Sequence, residues 1–233
     1  MSLTSSIERI GRRLAFRPIL AGASLRDRMI ACLGGFTGIG LTALVGRLTM
    51  HGLDPHTSLM IAAPLGASAV MVFVVPASPM TQPWSIIGGH VVSALTGLVA
   101  AHLVSEPTLA AGVAVGAAIA TMSLCRCLHP SGGGTALLPV LGGGAVQTLG
   151  WSFALLPIGL NAVTLTVAAW VFHRLISGHS YPHKAASAAP DATIEDTDID
   201  AALAGMGGPM DASRADLKTL AQRALDHART RRR

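Results

Sequence analysis

The densest chemistry in this chain lies in one short run, His129-Pro130-Ser131-Gly132-Gly133-Gly134-Thr135. It combines an imidazole, which titrates near neutrality, with two hydroxyls and with glycines that let a ligand approach the backbone. A helix starting after Pro130 inside a bilayer would point free amides and a partial positive charge at a cavity, and that is chemistry for an anion. Ser68 in Gly66-Ala67-Ser68 offers a third hydroxyl, and Arg126 and His129 are the groups able to supply charge. Arg126 either faces such a cavity or snorkels to the interface. His129 either meets a ligand or caps the preceding helix, and His90, between Gly89 and Val91, is either a pathway residue or an interhelical hydrogen bonder. The candidate substrate-binding set is therefore Gly66, Ser68, His90, Arg126, His129, Ser131, Gly133, Gly134 and Thr135.

Other chemistry is less supported. His51, His56 and His102 fall near the ends of apolar runs and read as interfacial. No carboxylate or third histidine joins His90 and His129, so neither a metal nor a cofactor is expected. Cys125 and Cys127 flank Arg126 and read as a structural pair, and with Cys32 they make no disulfide framework. Ser68 with His90 or His129 as base would suit an intramembrane serine hydrolase, but no third group completes it, and an enzyme is not expected.

The elements that must position these residues are membrane helices. Of 233 residues, 51% are hydrophobic and 12% charged, about half the charge of a soluble domain. Residues 29–173 hold four formal charges, Arg47, Asp54, Glu106 and Arg126, which cancel. That pattern excludes an ordinary aqueous surface and, with it, a soluble enzyme or a nucleic-acid reader; the +5 net charge comes from the ends. Crossing a hydrocarbon core takes about 20 helical residues. Spans are predicted at Met29 to Met50, Thr57 to Val75 with an interruption at Pro64-Leu65-Gly66-Ala67-Ser68, Ser85 to Val104, Thr108 to Leu124, and a last clean helix from Trp151 to Leu175. Between the last two, 126–144 carries two glycine triplets and two prolines and reads as a broken span.

Charge sets the topology. Arg9, Arg12, Arg13, Arg17, Arg26 and Arg28 place the N-terminus in the cytoplasm, and Arg126, Arg174 and Lys184 suit the same side. The count closes at six passes with both termini cytoplasmic, the first apolar run being kept as a signal anchor. Gly66-Ala67-Ser68-Ala69-Val70-Met71 echoes Gly133-Gly134-Thr135-Ala136-Leu137-Leu138, each in the middle span of a three-span half. Two inverted halves with discontinuous middle spans meeting near the midplane are expected, although shared small-residue packing would give the same echo. The fold class is thus an all-α polytopic membrane protein. Its parts are a basic segment 1–28, a transmembrane domain 29–176 and a tail 177–233 with an Ala/Ser linker, an acidic short helix closed by Gly207-Gly208-Pro209, and a helix opened by a capping box at Ser213.

The segments His129-Pro130-Ser131-Gly132-Gly133-Gly134-Thr135-Ala136-Leu137-Leu138 and Pro64-Leu65-Gly66-Ala67-Ser68-Ala69-Val70, with Gln82-Pro83 and Gly88-Gly89-His90-Val91, resemble the HPP family of integral membrane proteins over about Asp27 to Tyr181. Ser131 stands where that family has its second proline, and Gly134 where it has alanine. The resemblance implies a transporter, with nitrite as the substrate attributed to chloroplast and cyanobacterial members. Similar bacterial proteins continue into paired CBS domains, and 191–233 resembles the linker before them. The expected function is passage of a small inorganic anion, nitrite first, across a bacterial inner membrane, with the lipid bilayer as the other partner and a homo-oligomer left open. A membrane sensor or scaffold acting through the tail is the alternative.

Overall fold

The computed structural model describes residues 24–50, 54–183, 194–206 and 211–231. The expectations for Arg9 to Arg17, His51, Lys184, the Ala/Ser linker and Gly207-Gly208-Pro209 lie outside the described residues. Those described contain α-helices and short irregular helical turns, and five of the helical stretches are apolar and long enough to cross a bilayer.

Proline and acidic caps set where the helices begin. α1 (Leu25–Thr49) opens on a capping box between Ser24 and Asp27. α2 (Pro55–Val74), α3 (Pro83–Leu103) and α4 (Pro107–Leu124) each start on proline, whose missing N–H costs nothing in a first turn. Asp54 caps α2 through the His56 and Thr57 amides, and Glu106 caps α4 through Thr108 and Leu109, at 2.6–3.1 Å. Hydrogen bonds from Thr57 hold the exposed Asp54 carboxyl below its usual range, and those from the Thr108 and Leu109 amides do the same for Glu106.

Two expectations about continuity are corrected. α2 runs unbroken through Pro64 and is not a discontinuous span. The last span is not one clean helix: a 3-10 turn, Gly150–Ala154, and an irregular turn, Leu155–Gly159 with non-helical backbone at Leu156, precede α7 (Leu160–Phe172). Pro157 removes a donor there and forces the break. A wide turn, His173–Ser177, extends α7 to Gly178, whose φ of 72° stops it. The 126–144 stretch is broken as expected: non-helical backbone to Pro130, then α5 (Gly132–Leu141) and α6 (Gly143–Leu149).

Packing fixes the path of the chain. A Cβ on Gly34 would meet Phe73 and Phe172, one on Gly38 would meet Leu165, and one on Gly46 would meet Asn161. α1 and α7 are therefore antiparallel, and Leu25 and Ser177 end on one side, termed here the terminal side. α3 starts on that side beside α2, and the Trp84 indole donates to Cys125 O at 3.1 Å, so α4 ends there too. α5 runs parallel to α3, with Gly132 against Ser93 and Ala136 against Gly97. The large apolar side chains of α1, such as Phe36 and Leu48, point outward, whereas Ala31, Gly34, Gly38, Thr42 and Gly46 form its buried stripe. Small residues bring helices close where lipid offers no hydrophobic drive to associate.

In the tail, α8 (Asp196–Gly205) and α9 (Arg214–Arg231) pack Ile199 and Leu203 against Leu217 and Ala221. Arg214 pairs with Asp200 at 2.5 Å and Lys218 pairs with Asp196. Ser213 and Asp216 bond at the start of α9, as the capping-box pattern predicts.

Candidate functional site

Four of the nine candidate residues join in one buried hydrogen-bonded chain. Ser68 Oγ, on α2, lies 2.7 Å from His90 Nε2 and 2.7 Å from His129 Nε2. His90 Nδ1, on α3, lies 2.6 Å from Thr135 Oγ1 in the first turn of α5. His129 Nδ1 lies 2.7 Å from the carbonyl oxygen of Met80, in the turn between α2 and α3. Ser68, His90, His129 and Thr135 are fully buried, and the two imidazole centroids are 5.2 Å apart.

The proton positions follow from the end that has no choice. A carbonyl only accepts, so His129 carries its proton on Nδ1 and donates to Met80. Its Nε2 then accepts from the Ser68 hydroxyl, Ser68 Oγ accepts from His90 Nε2–H, and His90 Nδ1 accepts from the Thr135 hydroxyl. Every donor and acceptor is matched with both rings neutral, as burial without a carboxylate partner requires. Arg47, Asp54, Glu106, Arg126 and Arg174, the charged residues between 29 and 183 that are described, are all exposed.

Two more hydroxyls adjoin the chain without a partner. Ser93 Oγ and Ser131 Oγ are buried and make no hydrogen bond. Both border Gly132: Ser131 precedes it, and a Cβ at Gly132 would fall 2.5 Å from Ser93 Oγ and 2.6 Å from Met122 Sδ. An unmatched buried hydroxyl costs about 1–3 kcal/mol, which a bound polar species would recover.

The other candidate residues border this chain or lie apart from it. The first amides of α5 are not all free: Gly132 N–H bonds to His129 O at 2.9 Å, Gly133 N–H to Pro130 O at 3.3 Å and Thr135 N–H to Ser131 O at 3.1 Å. Arg126 is exposed at the terminal-side turn, with φ of 55°, apart from the chain. Gly66 lines an apolar groove of about 720 Å³ between α1 and α2 with Phe36, Ile39 and Val70. Gly133 and Gly134 have room for a Cβ, at 3.8 Å from Val115 and 3.6 Å from Pro64. Ser68 lies six residues from the end of α2, about 9 Å of helix.

Sequence reasoning passed over Met80, Ser93, Gly89, Gly97 and Gly132. A Cβ at Gly97 would fall 2.2 Å from Ala136 O, and one at Gly89 would fall 2.7 Å from His129 Cβ and 2.8 Å from Cys127 O. The signal available was Gly88-Gly89-His90, glycine beside an intramembrane histidine. The Met80 carbonyl left none, because any residue carries one.

Toward the opposite side, a cavity of about 400 Å³ opens between α3 and the segment after α5, lined by Leu98, Ala101, His102, Pro139, Val146, Gly150 and Trp151. Pro139 lies one turn beyond Thr135 on α5, and both are buried. The cavity foot and the top of the hydrogen-bonded chain thus share one helix face.

Two Dictyostelium discoideum proteins, each described as a transmembrane protein, are similar to the chain. One is 34% identical over 154 residues, 64% of this chain and 53% of the relative. The other is 30% identical over 165 residues, 69% of this chain and 51% of the relative. The chain thus spans about half the length of these curated relatives. No solved structure matches it. The sequence matches the family described as HPP, transmembrane region, over residues 21–182, and so contains every helix of the bundle and every residue of the buried chain: this polytopic membrane protein belongs to the HPP family.

Proposed function

We propose that the protein passes a small inorganic anion, nitrite first, across a bacterial inner membrane. The observation that carries this reading is the pair of buried, unpartnered hydroxyls, Ser93 and Ser131, around Gly132. They stand at the first turn of α5, whose dipole favours negative charge, and the glycines of that turn, Gly132, Gly133 and Gly134, carry no side chain to keep a ligand from the backbone. The ion enters through the 400 Å³ cavity and leaves toward the terminal side. Six passes in two inverted halves, with both termini cytoplasmic, are part of the same reading. Its support is the return of both bundle ends to one side and the shared imidazole of Ser68 and Thr135: these residues occupy equivalent places in the sequence echo, and both bond to His90. Arg126 and Arg174 lie on the terminal side, as positive residues do in the cytoplasm.

Hydrolase chemistry is disfavoured by the same geometry. Ser68 is fully buried and its oxygen is shared between two imidazoles, so no acyl group reaches it. Uptake by proteoliposomes, measured for nitrite, nitrate, formate and chloride against protein-free vesicles, tests the proposal. Saturable nitrite entry that weakens in Ser93→Ala is expected. Absence of uptake for every small anion, from protein shown to be folded, would move the function to a sensor or scaffold acting through the tail.

A further inference from the structure

We propose that Thr135, His90, Ser68 and His129 form a proton relay that moves one proton with each anion between the cavity foot and the Met80 turn. This rests on the transport reading, but its resting state is readable without transport. Four side chains and the Met80 carbonyl, each from a different element or turn, form an unbroken chain with links of 2.6–2.7 Å. Ser68 is the hinge: a hydroxyl between two imidazoles donates to one while accepting from the other, and can exchange those roles without moving.

The step balances. A proton arriving at Thr135 Oγ1 from the cavity side, where Pro139 lines the cavity one turn further along α5, displaces the hydroxyl proton onto His90 Nδ1. The His90 Nε2 proton passes to Ser68 Oγ, and the Ser68 proton passes to His129 Nε2. The His129 Nδ1 proton leaves at the Met80 turn, where Met80 is exposed. One proton has entered, one has left, and each O–H or N–H bond broken is replaced by one formed.

The two polarities of the chain differ only at its ends. At rest His129 donates to Met80 O at 2.7 Å. After transfer His129 Nδ1 and Met80 O are two acceptors facing each other, while Thr135, pointing away from His90, can donate to Ser131 O at 3.4 Å. A short bond is exchanged for a long one, so the chain returns to rest after each passage. The Ser131 carbonyl belongs to a residue whose hydroxyl borders the proposed ion position, which ties the reset to occupancy. Among the described residues, no other titratable side chain is bonded into the chain. Of those on the packed elements, Cys127 is buried two residues from His129, Cys125 and Arg126 are exposed, and His102 lies in the cavity lining beyond Thr135.

Nitrogen NMR on protein in lipid, with ¹⁵N-histidine assigned site by site, reads the resting state. The result expected is opposite neutral tautomers, Nδ1–H at His129 and Nε2–H at His90, with the His90 preference lost in Ser68→Ala. The same tautomer at both rings overturns the relay. Proteoliposomes carrying an internal pH dye and given nitrite read the coupling. Proton entry should accompany anion entry, fall about tenfold or more in Ser68→Ala, and recover in Ser68→Thr, which keeps the hydroxyl. Anion entry without protons, or undiminished proton entry in Ser68→Ala, overturns the relay and leaves anion transport standing. No entry of any anion overturns both the transport reading and the coupling.

Discussion

Two buried histidine clusters flank the turn between α2 and α3, and they differ in where their hydrogen bonds go. In one, His90 and His129 are joined through Ser68, and each link runs from side chain to side chain until Met80 O closes it. In the other, His173 donates from Nε2 to Val72 O at 2.9 Å and accepts at Nδ1 from Ser177, one turn later in its own segment. Around His173 stand Phe73, Phe172, His179 and Tyr181, with ring centroids 5.6–6.0 Å away. Tyr181 reaches on to Thr81 O at 2.9 Å, and the His183 amide to Gln82 at 2.9 Å. A ring held between a carbonyl and a local hydroxyl has one satisfied tautomer and is an anchor. Two rings joined by a hydroxyl have a second polarity, reached by giving up the bond to Met80 O, and can carry a proton. Both clusters grip neighbouring carbonyls of the same turn, so the anchor fixes the exit of the relay.

The largest effect should come from breaking the close approach that lines up the relay. Gly97→Ala sets a Cβ 2.2 Å from Ala136 O, a backbone atom that cannot swing away, so α3 and α5 must separate and His90 must leave Thr135. Loss of about 3 kcal/mol or more is expected, read as a lower unfolding midpoint in detergent together with lost flux. Gly133→Ala on the same α5, with Val115 at 3.8 Å, should change the midpoint by less than about 0.5 kcal/mol. Equal damage from both would show that the interface does not depend on the contact at Gly97.

Next in size is the contrast between the clusters themselves. His90→Gln removes a ring that both accepts and donates in series, and should reduce nitrite flux about 100-fold with little loss of fold. His173→Gln keeps a donor for Val72 O, and should cost about 1–2 kcal/mol of stability while flux stays within about threefold. The reverse ranking in vesicles would make His173 the working ring.

This contrast shows what was legible in the sequence. Composition and run length fixed a helical membrane protein because hydrocarbon permits few alternatives, and the Gly/Pro stretch before α5 announced broken backbone. Ser68, His90, His129 and Thr135 could be named because intramembrane polar residues are few. Their order in a chain could not, since it depends on the crossing of α2, α3 and α5 and on a main-chain carbonyl at Met80. Pro64 suggested a break that α2 absorbs, while Pro157, inside a run that reads as regular helix, makes a real one. Hydropathy does not register which proline the neighbours will accommodate. Gly132, Gly89 and Gly97 were missed for a related reason: a glycine needed for contact looks like a glycine that is not.

A smaller effect concerns the anchor and acid. Burial holds the His179 imidazole below the ordinary value of 6.5, with the Asp27 carboxylate working against it. A lowered imidazole stabilises the fold fully above its unfolded value and loses that contribution as pH falls below it. Residues 178–183 should therefore loosen from about pH 6.5 downward, seen as faster exchange of the His183 amide after correction for intrinsic rate. Tyr181→Phe should produce similar loosening at neutral pH, costing about 1 kcal/mol by leaving Thr81 O unpaired. An amide whose protection does not depend on pH would show that His179 is not part of the anchor.

The smallest effect separates shape from chemistry at the first turn of α5. Ser131 has φ −65° and ψ −17°, the φ that a proline ring imposes. Ser131→Pro, the residue usual in the resembled family, should therefore leave the fold, the His129 bond to Met80 and both tautomers in place. It removes one of the two unpartnered hydroxyls and keeps the other, Ser93. If both hydroxyls hold the ion, half-saturation for nitrite should rise a few-fold, about the worth of one hydrogen bond, while the maximal rate holds. Ser93→Ala should act in the same direction, and the double variant more than either alone. An unchanged half-saturation in Ser131→Pro would place the ion on Ser93 and the Gly132 backbone, narrowing the site to the face of α5 that looks toward α3.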